Sequence, residues 1–168
     1  MTLQQLIVII CAYLAELVVV IYFTRPTLRR IGGAMAGGAV GGCLLLIAFI
    51  LGDVFGLWRA SLPSKAGVLI LFYISAAISC APIYLVSWRV TRRFGRRGFT
   101  VFLVAVALIG PPRDYLIASK YPEWIVFTPG VTPIFADAAA YVGIMVLGHA
   151  VMRLVAGPAH QDRLAQRH

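Results

Sequence analysis

Acidic residues are scarce in this chain: six Asp and Glu against fifteen Lys and Arg in 168 residues. Only 12% of the residues are charged, too few to solvate the surface of a soluble domain. The three cysteines, Cys11, Cys43 and Cys80, are far apart and form no CxxC pair, so they read as small apolar residues rather than ligands or disulfides. Of the three histidines, His149 is alone in its stretch and His160 and His168 fall in a polar tail, so no metal is expected. No basic n-region precedes the first apolar run and no small-residue cleavage site follows it, so that run is expected to stay in place. No connection is long enough for a soluble module. One domain is expected over 1–156, with a cytoplasmic, disordered tail at 157–168.

What the chain has in quantity is apolar length, with 61% hydrophobic residues. About 20 apolar helical residues cross the ~30 Å of a bilayer's hydrocarbon. Stretches 3–23, 31–52, 66–88 and 133–155 meet this requirement, Trp88 and Arg89 forming an interfacial anchor and Thr132-Pro133 a helix start. A fourth crossing is short: 99–109 is followed by Gly110-Pro111-Pro112-Arg113-Asp114, so a helix kinked or broken at Gly110–Pro112 is expected before it resumes toward Ser119. The segment 121–131, with Pro122, Trp124, Pro129 and Gly130, reads as interfacial or shallowly re-entrant. The predicted fold is all-α: a polytopic membrane bundle of five transmembrane helices.

The basic residues alternate around these runs. Arg25, Arg29 and Arg30, then Arg89, Arg92, Arg93, Arg96 and Arg97, then Arg153, Arg163 and Arg167 share one side, eleven in all. Arg59, Lys65, Arg113 and Lys120 share the other. The positive-inside bias then places the N-terminus outside and the C-terminus in the cytoplasm of an inner membrane. A charge of +9 confined to short loops reflects topology and anionic lipid headgroups at Arg89–Arg97, not nucleic acid.

Within the second span, Gly33, Gly37 and Gly41 form one row and Gly38 and Gly42 another, a small-xxx-small pattern that lets backbones approach. Packing inside the bundle is expected; a homodimer through this face is the alternative. No strand precedes these glycines and no phosphate-loop Lys follows, so they are not a nucleotide site.

Ionisable residues at membrane depth are the candidate functional groups. Glu16 falls mid-span, one helical turn after Tyr13, and reads either as a structural hydrogen-bonding residue or as a proton- or cation-linked site. Asp53, Arg113, Asp114 and Asp137, with Tyr141 one turn after Asp137, gather toward the outer ends, as does Glu123. They form either a closed ion-pair network or a ligand pocket beside a discontinuous helix.

Asp53-x-x-Gly56-x-Trp58 with Pro63 and the following apolar span resembles a segment of the membrane-bound lycopene cyclase domain. The third span has no Asp or Glu where that family carries an acidic motif, so no activity is carried over. No catalytic residue set, cofactor or metal site is indicated. The expected function is a structural, assembly or ligand-binding bundle. The alternatives are a subunit of a small-molecule or ion transporter, proton-linked through Glu16, and a lipid or isoprenoid enzyme.

Overall fold

The computed structural model describes residues 3–157; the expected tail beyond Gly157, with His160 and His168, lies outside them. Four helices run α1 Leu3–Thr24, α2 Leu28–Val54, α3 Ala66–Lys120 and α4 Thr132–Ala156. All four are long and apolar enough to cross a membrane. Apolar segments in lipid have no water to satisfy N–H and C=O groups, so the helix satisfies them internally. Large side chains such as Val18, Phe23, Val101, Leu108 and Leu154 stand exposed along the outside, as lipid contact requires and water would penalise. These helices mark the chain as a membrane protein.

The helix α3 is 55 residues long, which would extend about 80 Å if straight. It is interrupted at Gly95, where φ 65° and ψ −152° lie outside the helical region. The contacts on either side show a reversal. The His149 ring lies 4.5 Å from the Phe99 ring, and its Nδ1 lies 2.8 Å from the Ser87 hydroxyl. A straight helix would hold Ser87 and Phe99 about 18 Å apart along its axis. Glycine is the residue that adopts this conformation without a Cβ penalty.

The helix is not broken at Gly110–Pro112, where a kink or a break is expected from the sequence. Helical backbone continues through Gly110, Pro111 and Pro112 to Lys120. The two prolines lack N–H donors, yet a membrane helix can accommodate such gaps when its neighbours hold it. Gly110 has a packing role instead: a Cβ built on it would meet Tyr141 Cδ2 and Cε2 at 2.5 Å. The start of α4 is also slightly different, with Val131 at its N-cap and Thr132 already inside the helix.

Both glycine rows of α2 are buried within the chain. A Cβ on Gly37 would stand 2.5 Å from the Gly148 carbonyl oxygen, and one on Gly38 would stand 2.4 Å from that of Ala77. Gly33 faces Met152 and Ala156, Gly41 faces Tyr84 and Cys80, and Gly42 faces Ala77 and Tyr73. Gly33 and Gly37 therefore seat α4, while Gly38, Gly41 and Gly42 seat α3. The face considered for a homodimer is already filled by the chain's own helices. Tyr84, wholly buried, wedges among Gly37, Gly41 and Gly148, and its hydroxyl donates to the Ile144 carbonyl at 2.9 Å.

The two ends of the bundle are tied differently. At one end, the buried Arg30 side chain donates to the Gly157 carbonyl and lies over the Trp88 ring, 5.5 Å from its centroid. Arg29 Nε donates to the Val155 carbonyl at 3.3 Å. Two cations thus meet the open carbonyls at the C-terminus of α4, where the helix dipole favours positive charge. At the opposite end, β1 Trp58–Ala60 pairs antiparallel with β2 Ile125–Phe127, Trp58 opposite Phe127. The interfacial segment is therefore partly a strand, joined across the bundle to the loop after α2. Ser61 N–H to the Trp124 carbonyl, 2.9 Å, and Thr128 N–H to the Leu57 carbonyl, 3.0 Å, extend the pairing.

Candidate functional site

Beneath this two-stranded cap is a cavity of about 520 Å³ bounded by α1, α2, both arms of α3 and α4. Ser79 and Asp114 share its wall though 35 residues of one helix separate them, a consequence of the reversal at Gly95. Most of the wall is apolar, supplied by residues such as Leu6, Ile9, Leu45, Phe72, Ile83 and Met145. The volume falls within the range of small-molecule sites.

The polar groups are few and connected. Tyr141 Oη donates to Asp114 Oδ2 at 2.9 Å. The Arg113 guanidinium donates to the Tyr13 hydroxyl at 3.3 Å and to the Tyr141 hydroxyl at 3.4 Å. One side chain from α3 therefore ties α1 to α4 at the wall of the cavity. An arginine facing hydrocarbon is costly, and these oxygens give it an alternative.

Asp137 differs from its neighbours. It is only 8% exposed, sits on the cavity wall, and its Oδ2 has no hydrogen-bond partner among the described residues. Burying an unsatisfied carboxylate oxygen is expensive, so such groups are rare outside functional sites. Two more wall residues carry unpartnered buried atoms, Trp58 Nε1 and Trp124 Nε1. The cap positions both indoles. Trp58 lies against Gly52, where a Cβ would stand 1.9 Å from its ring, and Trp124 stacks on Tyr121 at 4.4 Å between centroids.

Of the residues singled out in the sequence, Glu16, Arg113, Asp114, Asp137 and Tyr141 all border this cavity. Glu16 is exposed on the α1 side and Asp137 is buried on the α4 side. Asp53 is not on the wall: it is exposed in the last turn of α2, just before the turn that leads to β1. Glu123 is likewise exposed. The indoles of Trp58 and Trp124 were not foreseen. A run of aromatic and β-branched residues at 124–127 was the one available signal for the strand that brings them together.

The nucleophile-type side chains on the wall, Ser75, Ser79 and Cys80, have no histidine beside them among the described residues, and the Ser79 hydroxyl is occupied by the Ala76 carbonyl at 2.8 Å. Among the described residues a close Ser–His pair, Ser87 and His149, lies elsewhere, buried on both sides. Its serine donates to the Tyr84 carbonyl at 2.9 Å, which leaves the imidazole as donor and makes the contact a helix tie. No set of three His, Cys, Asp or Glu side chains among the described residues could hold a metal ion. No protein-family model, curated protein or solved structure matches the chain. Fold and site define its class: a membrane helix bundle around an apolar cavity with a small set of polar groups.

Proposed function

We propose that the protein crosses the membrane five times and binds a small amphiphilic molecule in this cavity. The observation that carries the reading is Asp137, a buried carboxylate with one oxygen unpartnered on the wall of an apolar chamber of ligand size. An apolar body would occupy the chamber, and a polar end would meet Asp137, Arg113 and the two indoles.

The five-crossing count rests on the reversal at Gly95, which divides α3 into arms 66–94 and 96–120, each above the ~20 residues a crossing needs. Charge sets the orientation. Nine described basic residues lie at the Gly95 end and only Arg59, Lys65, Arg113 and Lys120 toward the capped end. The cavity then opens toward the outer side of a bacterial-type inner membrane, with the C-terminal tail in the cytoplasm. Arg93, Arg96 and Arg97, exposed beside the reversal, face anionic headgroups, while Arg89 also donates to the Thr24 carbonyl at 3.2 Å. Transport is the second reading: Glu16 and Arg113, exposed at the α1 side of the cavity, would lie on the path of a moving solute.

The binding reading is tested by photolabelling the full chain in phosphatidylcholine nanodiscs with a diazirine-bearing decyl alcohol. Labelled peptides should include 72–84 and 137–145, and Ala140→Phe, which fills the wall from α4, should suppress them. Labelling spread evenly over the lipid-facing surface and unchanged by Ala140→Phe would overturn it.

A further inference from the structure

We infer that the occupant is a lipophilic cation, an organic molecule with a positive charge on an apolar, aromatic-compatible body. This deepens the binding reading above and rests on it. The cavity wall carries three carboxyl groups, Glu16, Asp114 and Asp137, and one cation, Arg113. The guanidinium donates its hydrogen bonds to the hydroxyls of Tyr13 and Tyr141, and its charge acts on the neighbouring Asp114, which leaves Asp137 and Glu16 to be met by something else. Asp114 is held by Tyr141, whereas Asp137 keeps an oxygen without a donor. In a chamber surrounded by hydrocarbon, the Asp137 carboxyl carries a charge only when a positive partner meets it, and a cationic occupant supplies that partner where a neutral or negative one does not.

The rest of the wall narrows the class. Tyr13, Phe49, Trp58, Phe72, Tyr84 and Tyr141 contribute aromatic rings, which attract cations that have lost part of their hydration. A bare metal ion is disfavoured, since the acids come from α1, α3 and α4 and no three of them form a ligating group. A volume of about 520 Å³ likewise suits an organic body rather than an ion.

Two probes of one shape and opposite charge test this. Binding of tetraphenylphosphonium and of tetraphenylborate to the full chain in phosphatidylcholine nanodiscs is measured by equilibrium dialysis, with empty nanodiscs as the partition control. The phosphonium should bind saturably, and Asp137→Asn should weaken it on the order of tenfold or more. The borate should show only the partition seen with empty discs. Should Asp137→Asn fail to fold, Glu16→Gln on the exposed side of α1 serves in its place and should also weaken the phosphonium. Equal or tighter saturable binding of the borate overturns the charge assignment while leaving the cavity a binding site. Saturable binding of neither probe, or phosphonium binding untouched by both variants, overturns it as well. Loss of the cavity reading itself would appear separately, as photolabelling indifferent to Ala140→Phe.

Discussion

The ring of Tyr141 lies directly against the backbone of Gly110, so close that an added methyl would stand 2.5 Å from two ring carbons. This contact positions the Tyr141 hydroxyl to donate to Asp114 and to receive Arg113. Gly110→Ala should push the ring away and loosen all three groups together. The expected cost is about 1–3 kcal/mol, the range for overpacking a close contact. Thermal unfolding in nanodiscs should show a lower Tm for Gly110→Ala. An unchanged Tm would mean that the ring can relocate freely.

Gly148 and Tyr84 make a second such pair, in the bundle's core. A Cβ on Gly148 would fall 2.0 Å from the Tyr84 hydroxyl oxygen, with backbone close on the other side of the ring. Gly148→Ala should therefore destabilise more than Tyr84→Phe, which removes the hydrogen bond to Ile144, worth about 1 kcal/mol, and a weaker contact with the Cys80 thiol. The two variants compared in one unfolding series decide this, and the reverse order would contradict it.

Gly95 offers a case without any steric term. A Cβ there would meet nothing within 4 Å, yet its φ of 65° is one that L side chains rarely adopt. Gly95→Ala should cost about 1–3 kcal/mol through backbone strain alone. A stability equal to wild type would argue against the reversal that forms the cavity.

Arg30 clamps the arginine-rich end through the Gly157 carbonyl and the Trp88 ring. Arg30→Ala should cost about 1.5–3 kcal/mol, as for a hydrogen bond to a charged group. Arg30→Lys should recover only part of this, since an ammonium cannot both stack on an indole and present a planar fork. Full rescue by lysine in the same unfolding assay would show that charge alone suffices.

Much of this architecture was legible because lipid simplifies the reading. Long apolar runs must be helices, and glycine every fourth residue from Gly33 to Gly41 must admit a backbone. Glu16, Arg113, Asp114, Asp137 and Tyr141 could be singled out because ionisable and hydroxyl groups are few at that depth. The turn in α3 was legible only to within the basic stretch between the spans 66–88 and 99–109, and helix extends into that stretch from both sides of Gly95. The helical pattern runs through Arg92, Arg93, Arg96 and Arg97, and a single glycine among them carries the reversal. Gly110-Pro111-Pro112 resembles a break more closely, but a helix held by neighbours tolerates its missing donors. Trp58 and Trp124 reach the cavity only through three-residue strands in distant loops, too short to leave a periodic signal. Asp53 falls outside because the turn after α2 leaves it exposed.

The three tryptophans provide the most direct test of the central claim that the cavity holds an amphiphile. Trp58 and Trp124 line it, while Trp88 is buried with Arg30 and Arg92 at the opposite end. A short-chain alcohol brominated along its tail is titrated into the full chain in nanodiscs, and tryptophan emission is followed. Quenching should saturate, should persist in Trp88→Phe, and should largely disappear when Trp58 and Trp124 are both replaced by Phe. Quenching that rises linearly without saturation, or that survives the double replacement through Trp88 alone, would contradict the account.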